Sequence, residues 1–557
     1  MCIRDSNSKI MISSSTFTHN KAGNGGGVVS SIESNASSFI SVVISSSNFS
    51  SNMAGDFGGV VHLQYGGSAL VNDSIFYYNR AAVDGGVFDG YTTTSIKVFR
   101  SIFANNTAKD HGGVSSIKQG SKFFTEGSEF HNNIHTNFGA VVYALNGSVT
   151  TTYDCIFTQN SANYGGVLAA ERNGAITIDN GTFSGNTAVQ NGGIFFAHTQ
   201  CTVTIDNSSF TGNRANNDGV MLASDSSTVI LHNSNFSDNV AGHDGGVVYA
   251  YDNSTVIIDN CNSTNNTAGG SGGTVYGRQH SNITINGSQV KNCTAQNYGG
   301  GVYILQDSNA TIEASEFTNL SVDNGGGIHV YIRSTADIKN CRFSENIAKI
   351  SGGAMSVYKY STIRVQMSNF TFNMAGFGGV SIVLQNSTLE FENCEFHNNW
   401  AEFDGIIKVR QQSTVALTGG TFKNNTADNG GVLYVQSSNV TIETSYFDDN
   451  SARDKGGVIY ANNNSTISIY LGTLSGNSVN NDGGVMALLG GSVASVESSK
   501  FTGNRARHNG GDIGIQESIM RILNSTFNFS TAGSSGCLLY TSPSPRDATL
   551  SRMPSSA

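Results

Sequence analysis

Acidic side chains are the first residues of this sequence that could do chemistry. Asp448 and Asp449 are adjacent, and pairs of carboxylates serve as acid and base in many polysaccharide-cleaving enzymes. Consecutive residues of a strand point to opposite faces, so these two carboxylates are not expected to converge. No Gly-His-Gly element or paired basic motif accompanies them. The sequence therefore predicts no catalytic residue and no cofactor, and we expect a protein that is not an enzyme.

Asp218 and Asp244 are the second candidate, for a cation site. They occupy equivalent places in consecutive copies of a repeat, with Asn191 in the copy before and Ser271 in the copy after. Oxygen atoms stacked about 5 Å apart could hold a hard cation such as calcium. Aspartate and asparagine also favour the turn before a glycine for conformational reasons alone. We favour the turn, predict no metal site, and leave calcium at these two residues open.

Cysteines are the third candidate, for a disulfide or zinc framework. Four of them occupy one repeat slot in which serine is usual: Cys155, Cys261, Cys341 and Cys394. They lie four, three and two copies apart along the chain, so the nearest two are separated by about 10 Å. Cys201 and Cys293 lie in other slots. That spacing exceeds the reach of a disulfide. We interpret all six as buried thiols that replace serine or asparagine.

A tyrosine stripe is the last candidate. Tyr249, Tyr276 and Tyr303 follow Gly-Gly by three residues in successive copies, as do Tyr434 and Tyr460. An outward stripe could bind a sugar or a partner protein, whereas an inward stripe fills the core. We favour the inward orientation.

The repeat that positions all of these residues reads Ser-x-Phe-x-x-Asn-x-Ala-x-x-x-Gly-Gly-Val. Its Phe recurs every 25–28 residues after a first interval of 32, from Phe17 to Phe527, with Ser263, Val290 and Leu474 in register. A fixed period in this range is typical of a solenoid. Each copy holds three short strand candidates, exemplified around Val247, around Val256–Ile258 and around Ser234–Phe236.

Three short strands per constant period predict an all-β protein, a right-handed parallel β-helix of about twenty coils of 26–27 residues. Coils stacked about 4.8 Å apart place the Phe side chains in one interior column and the Asn amides in another. Gly-Gly is expected to supply positive φ angles at a corner. The strict register of these positions argues against disorder.

The two ends of the chain are interpreted as nucleotide sequence from a sequencing adapter, translated by accident. Residues 1–6 and 537–557 correspond to opposite strands of one oligonucleotide, because the reverse complement of codons for the first segment encodes the start of the second. We therefore expect a native β-helix repeat domain over residues 7–536, a fragment without its natural termini. All three prolines lie in the last segment, so residues 7–536 contain none.

Charge and hydropathy limit the partners. The net charge is −10, and it is spread along the chain, which argues against nucleic acid and against anionic membranes. No run of 18 apolar residues exists, so we expect no transmembrane segment in this fragment.

The alternation of Phe-x-x-Asn with Gly-Gly-[Ala/Val/Ile/Leu] resembles the repeats of chlamydial polymorphic outer membrane proteins. Matches include Phe183-Ser-Gly-Asn with Gly192-Gly-Ile, and Phe422-Lys-Asn-Asn with Gly430-Gly-Val. The resemblance covers essentially all of residues 7–536 and implies an autotransported surface protein that works in adhesion. This sequence departs from that family in two ways: Gly-Gly-Val dominates here, and the carboxyl-terminal translocator barrel is not in the fragment.

From these observations we expect a secreted or cell-surface β-helix that acts as an adhesin or structural spacer. Its partner would be a protein or glycan of a host or neighbouring cell, and its place would be extracellular or, in a bacterial autotransporter, on the outer membrane. The alternative is a carbohydrate-active enzyme of the pectin-lyase-like β-helix class, with a polysaccharide lyase or hydrolase site that is cryptic or outside the fragment. A convergent carboxylate cluster in a groove would favour the enzyme.

Overall fold

The computed structural model describes residues 2–3, 8–31 and 41–542. It divides into a first unit, Met1–Gln289, and a second unit, Val290–Ala557. Within the described ranges every regular element is a β-strand, and every strand pairs in parallel with its counterpart in the neighbouring coil. No helix that could cross a membrane occurs among these residues. The prediction of an all-β parallel β-helix is confirmed.

Each coil of the first unit contributes one strand to each of four parallel sheets, named here sheets 1 to 4. Sheet 1 follows Gly-Gly and runs from Val29–Ser31 to Val275–Arg278, with Cys2–Ile3 before it. Sheet 2 runs from Lys9–Ser13 to Asn282–Asn286, and sheet 3, which carries the Phe residues, from Thr16–Thr18 to Asn262–Thr264. Sheet 4 runs from Lys21–Ala22 to Thr267–Ala268.

The second unit repeats the same four sheets. Sheet 1 runs from Val302–Leu305 to Leu539–Ser542, and sheet 2 from Asn309–Glu313 to Ile519–Leu523. Sheet 3 runs from Glu316–Thr318 to Thr526–Asn528, and sheet 4 from Thr294–Ala295 to Thr531–Ala532.

Sheet 4 is the main departure from the three predicted strands. In the first unit it consists of two-residue strands such as Val240–Ala241, at the Asn-x-Ala corner. In the second unit six consecutive strands lengthen to four or five residues, and their pairing contains register shifts: Ser321–Asn324, Ile347–Ser351, Met374–Phe377, Trp400–Asp404, Thr426–Asn429 and Ser451–Lys455. A two-residue strand carries too little β-branched or aromatic sequence to be recognised from pattern alone.

The interior of each unit contains the predicted columns. In the first unit the rings of Phe210 and Phe236 stack with centroids 4.8 Å apart, and both are buried. In the second unit Phe396 and Phe422 stack at 4.3 Å. Burial of each ring contributes about 1.5–3 kcal/mol.

The asparagine column is a hydrogen-bond ladder. The backbone N–H and the side-chain Nδ2 of Asn239 both donate to Oδ1 of Asn266 in the next coil, at 3.0 and 2.9 Å. The same Nδ2 donates to the carbonyl oxygen of Phe210 in the preceding coil at 3.0 Å. In the second unit Leu320 stands in this column, and only its backbone N–H reaches Oδ1 of Asn346. The ladder satisfies buried backbone groups at the corner, where no strand partner would otherwise reach them.

The two glycines of each pair are needed for different reasons. Gly245 has φ of +66°, as predicted for a corner, whereas Gly246 does not have positive φ. A Cβ on Gly246 would lie 2.1 Å from the carbonyl oxygen of Gly273, so the second glycine allows the next coil to approach. The prediction of positive φ is thus confirmed only for the first glycine of the pair.

The strand Leu539–Ser542, within the segment interpreted as adapter, pairs in parallel with Ile513–Gln516. Any sequence of suitable length can complete the edge of a parallel sheet through its backbone. The boundaries at residues 6 and 536 stay a prediction.

Candidate functional site

The outward face of sheet 1 carries a column of residues in register with Tyr249, named here the outer column. In the strand Phe88–Tyr91, Phe88 faces the Phe column at 5.4 Å from Phe76, so the next residue, Asp89, points the other way. Asp89 is nevertheless 3% exposed. The members in the first unit from Ser30 onward are all buried: Ser30, His62, Asp89, Ser116, Tyr143, Ala169, Phe196, Leu222, Tyr249 and Tyr276.

The glycine corner covers the outer column. A Cβ on Gly272 would lie 3.1 Å from Cβ of Tyr276, so the missing side chain leaves room for the tyrosine. The residue just before the first glycine, the corner position, packs on the same column: His111 stacks on Tyr143 at 4.3 Å, and Phe57 on His62 at 5.6 Å. These coils of the first unit thus have a second, narrow buried layer outside the core.

This layer gathers titratable groups in the first unit. Asp84 is 2% exposed, and its two carboxylate oxygens accept from Nδ1 of His111 at 2.7 Å and from Nζ of Lys118 at 2.5 Å. Burial alone would raise the pKa of Asp84, but the hydrogen bonds and charges of His111 and Lys118 outweigh it and lower that pKa. Asp84 therefore lies in the layer as a paired carboxylate.

Two further pairs border this cluster. His62 Nδ1 lies 2.9 Å from Oδ2 of Asp89, and its Nε2 lies 2.9 Å from the side-chain nitrogen of Gln64. Burial raises the pKa of Asp89, and the bond from His62 offsets only part of the effect. The hydroxyl of Tyr143 donates to Oε2 of Glu171 at 2.6 Å.

Sequence reasoning missed these groups. The bonded residues lie in different coils: in the sequence, Asp84 is 27 residues from His111 and 34 residues from Lys118. Their common signal is the repeat position: the corner position and the third and fifth residues after Gly-Gly. Reading those positions across copies would have shown where aspartate, histidine and lysine accumulate.

In the second unit the outer column holds an aromatic cluster and a buried amine. His329 is 2% exposed, and its ring lies 4.8 to 5.2 Å from those of Tyr298, Tyr303 and Tyr358. Burial lowers the pKa of His329 to about 3. Lys408 is 4% exposed and pairs with Asp404.

Comparison with known proteins places these coils in a family. A family described as the right handed beta helix region matches residues 117–290, 273–470 and 346–527. The chain belongs to this right-handed β-helix family. Among solved structures, a PL6 family alginate lyase is 10% identical, covers 96% of this chain and 97% of that chain, and has a TM-score of 0.26. No curated protein sequence matches the chain.

The tyrosine stripe of this β-helix is buried, but not in the core. Tyr249 and Tyr276 stack at 4.9 Å in the outer column and are 6% and 5% exposed. In the second unit Tyr434 and Tyr460 stack at 5.1 Å and are half-buried. The prediction of burial is confirmed for Tyr249, Tyr276 and Tyr303. The predicted inward direction is wrong, because strand residues alternate between faces and Val248 takes the inner face.

Asp218 and Asp244, the candidates for a cation site, lie in other coils of the right-handed β-helix than the Asp84 cluster. Oδ1 of Asp244 accepts from the backbone N–H of Ser271 in the next coil at 2.7 Å, so this carboxylate joins two coils. Burial, followed by the charge of Asp244, raises the pKa of Asp218 to about 6. Among the described residues no three His, Cys, Asp or Glu side chains gather as metal ligands. Whether Asp218 and Asp244 bind calcium stays open.

Asp448 points outward and bonds to Lys423 Nζ at 3.0 Å and to the Ser475 hydroxyl at 2.8 Å. Asp449 follows at a bend with φ of +52°. Asp449 is not part of the strand Tyr446–Asp448, so the predicted alternation of strand residues does not apply to this pair.

The six cysteines at positions 155 to 394 are buried thiols that form no disulfide, as expected. Cys155 replaces a serine of a corner ladder: its Sγ donates to the carbonyl oxygen of Tyr153 at 3.1 Å, as the hydroxyl of Ser47 does to Ser45 at 2.8 Å. Burial raises the pKa of the Cys155 thiol to about 11. Such thiols are unreactive packing groups.

Proposed function

We propose that this β-helix is a non-catalytic, secreted or cell-surface protein that acts as an adhesin or structural spacer. The observation that carries the proposal is the contrast between the two faces of each sheet. In sheet 3 the inward position keeps its Phe from coil to coil, while the outward position of the same strands varies. The residue before the Phe reads Asn48, Ile75, Ile102, Glu129 and Ile156 in successive coils.

A constant interior supports a surface that is free to change, which suits recognition of a partner. The resemblance of the repeats to chlamydial polymorphic outer membrane proteins supports the same role and a location outside the cell. The pairing of Asp84 also supports a non-catalytic protein, because both of its carboxylate oxygens already accept bonds, one from His111 and one from Lys118.

The test is saturable binding of the labelled full chain to intact cells and to immobilised extracellular matrix. We expect binding that unlabelled chain competes away and that heat-denatured chain does not reproduce. Absence of saturable binding on every surface, with cleavage of a polysaccharide by the same preparation, would contradict the proposal.

A carbohydrate-active enzyme is the second candidate, favoured by the cluster of Asp84, His111, Lys118, Tyr143 and Glu171. It brings carboxylates together with an imidazole, an amine and a phenol, the groups that general acid–base catalysis requires. The assay is release of reducing ends from acidic and neutral polysaccharides by the full chain and by Asp84→Asn. Activity that is lost in Asp84→Asn, with unchanged thermal unfolding, would favour the enzyme over the adhesin.

A further inference from the structure

The outward face of sheet 4 in the second unit carries a strip of side chains to which the proposed adhesin function assigns no role. Its residues are paired in register, one per coil: Ile347, Met374, Trp400, Thr426, Ser451, Ser478 and Arg505. The residue after each one is a small buried side chain, such as Ala401 at 1% exposure. The strip residues therefore face outward.

The first part of the strip is apolar and exposed, and it forms an aromatic platform with Phe403. Trp400, the single tryptophan of the chain, is 40% exposed, and Phe403, three residues later in the same strand, is 44% exposed. The ring of Phe403 packs on that of Phe377 at 5.0 Å, and Nζ of the buried Lys408 lies 3.7 Å from the centre of the Phe377 ring. Phe403 is thus supported by Phe377, which in turn packs on Lys408.

The other end of the strip is a basic cleft of about 630 Å³. It opens where the strands of sheet 4 shorten from Ser451–Lys455 to Ser478–Val479. Its lining combines hydroxyl groups with three arginines: Thr426, Ser451, Ser478, Arg453, Arg505 and Arg507. Arg453 pairs with Asp428 at 3.1 Å, whereas no carboxylate of the described residues pairs with the exposed Arg505 and Arg507.

We propose that this strip binds a linear acidic polysaccharide, one whose sugars carry carboxylate or sulfate groups. Trp400 and Phe403 would receive the apolar face of a sugar ring, and the hydroxyls of Thr426, Ser451 and Ser478 would bond to sugar hydroxyls. The guanidinium groups of Arg505 and Arg507 match an oxyanion in shape and charge. A polymer suits the strip because the receiving groups recur at the spacing between strands, about 4.8 Å.

The distribution of charge along the strip decides against the other occupants. A nucleic acid carries a phosphate at every nucleotide and would need cations along the whole strip, whereas the unpaired arginines, Arg505 and Arg507, lie at one end of it. An apolar protein partner would cover Trp400 and Phe403 but would also bury Arg505 and Arg507 without counter-charges, which is costly. An acidic polysaccharide satisfies both ends of the strip.

The inference rests on the proposed adhesin function, for which it names the ligand class and the site. The test is calorimetric titration of the full chain with a galacturonic acid hexamer, a sulfated dextran oligomer and a neutral dextran oligomer. We expect one of the two acidic probes to bind, more weakly as salt rises, and the neutral probe not to bind. Both Trp400→Ala and the double variant Arg505→Gln/Arg507→Gln should weaken binding about tenfold, the size of a loss at a binding hot spot.

Matched controls come from the same repeat slots of the first unit. Ile134, 53% exposed, corresponds in register to Trp400, and the exposed Arg214 corresponds to Arg505. Ile134→Ala and Arg214→Gln should leave the affinity unchanged, and all variants should unfold at the temperature of the parent chain.

Four outcomes would overturn the inference: no binding of either acidic probe, equal binding of the neutral probe, unchanged affinity in the strip variants, or equal losses in the controls. Cell binding of the same variants separates the two proposals. Cell binding without polysaccharide binding overturns the inference and leaves the adhesin function in place. Polysaccharide binding at the strip without cell binding supports the inference and contradicts the adhesin function.

Discussion

Lys408 lies with its Nζ 2.5 Å from Oδ2 of Asp404, in the narrow layer outside sheet 1, where the two side chains are 5% and 15% exposed. The amine also lies 3.7 Å from the centre of the Phe377 ring. Burial lowers the pKa of Lys408, and the bond to Asp404 opposes that effect. A charged pair thus occupies a place that tyrosine and leucine fill in other coils, and it supports the platform of Phe377 and Phe403.

Removal of one partner of this pair should cost more than removal of both. We expect Lys408→Met to lower the free energy of unfolding by about 3 kcal/mol, because Asp404 is left buried without a counter-charge. The double variant Lys408→Met/Asp404→Asn should recover at least about 1 kcal/mol of that loss. Urea unfolding measures both. Lys423→Met, which breaks the exposed pair with Asp448, is the control and should cost less than about 1 kcal/mol.

The asparagine ladder should be a main source of stability at its corner. Oδ1 of Asn399 accepts from the N–H and Nδ2 of Asn373, and its Nδ2 donates to Phe370 O and Asn425 Oδ1, at 2.9 to 3.0 Å. Asn399→Ala should cost about 3 kcal/mol, because buried groups lose their partners. Hydrogen exchange of the neighbouring amides should accelerate. Equal protection in Asn399→Ala and in the exposed Asn369→Ala would show that the ladder contributes nothing.

Glycine at the corner should matter for contact as well as for φ. Gly245 and Gly212 have φ of +66° and +63°, but a Cβ on Gly245 would lie 2.5 Å from Val248 O, while one on Gly212 meets nothing within 4 Å. Gly212→Ala should cost about 1–2 kcal/mol from φ alone. Gly245→Ala should cost clearly more, measured by thermal unfolding. Equal losses would indicate that the corner can move away from the added methyl group.

His329 should make the second unit less stable in acid. Its pKa falls from 6.5 to about 3 in the fold, so between these values the unfolded chain binds the proton and the folded chain does not. Stability should therefore fall as pH drops through that window, by up to about 1.4 kcal/mol per pH unit. Asp512, with a pKa raised to about 6, acts in the opposite direction, since the folded chain binds its proton first.

The comparison with His329→Phe isolates the histidine, because Asp512 is present in both chains. The free energy of unfolding of the parent chain, relative to that of His329→Phe, should decrease as pH falls from 6.5 towards 4. His397→Gln, at a partly exposed histidine next to Glu395, is the matched control. A constant stability difference between parent and His329→Phe across this range would refute the assignment.

The sequence alone predicted the coil and its interior. Phe236 and Asn239 recur with a period of one coil, and identical residues on stacked parallel strands must meet their copies, so the ring stack and the amide ladder follow from spacing. The replacement of Ser by Cys155 followed in the same way. The strand Val240–Ala241 was missed because two residues do not form a recognisable pattern.

The outer layer could not be predicted by the same reasoning. Whether Tyr249 is buried or exposed depends on what covers the outward face of sheet 1. The covering element is the glycine corner of a neighbouring coil, at Gly219. The Asp84 cluster and the strip from Ile347 to Arg505 likewise join different repeat positions, not copies of one position.

The sequence by itself determined the period, the strand class and the columns of like residues, because one parallel register relates each coil to the next and repeats every vertical contact. The tertiary structure alone decided the contacts between unlike positions: Asp84 with His111 and Lys118, Lys408 with Asp404 and Phe377, and the cleft beside Arg505. These contacts depend on how sharply the chain turns at each corner and on how large the neighbouring side chains are, and a one-dimensional period carries neither quantity.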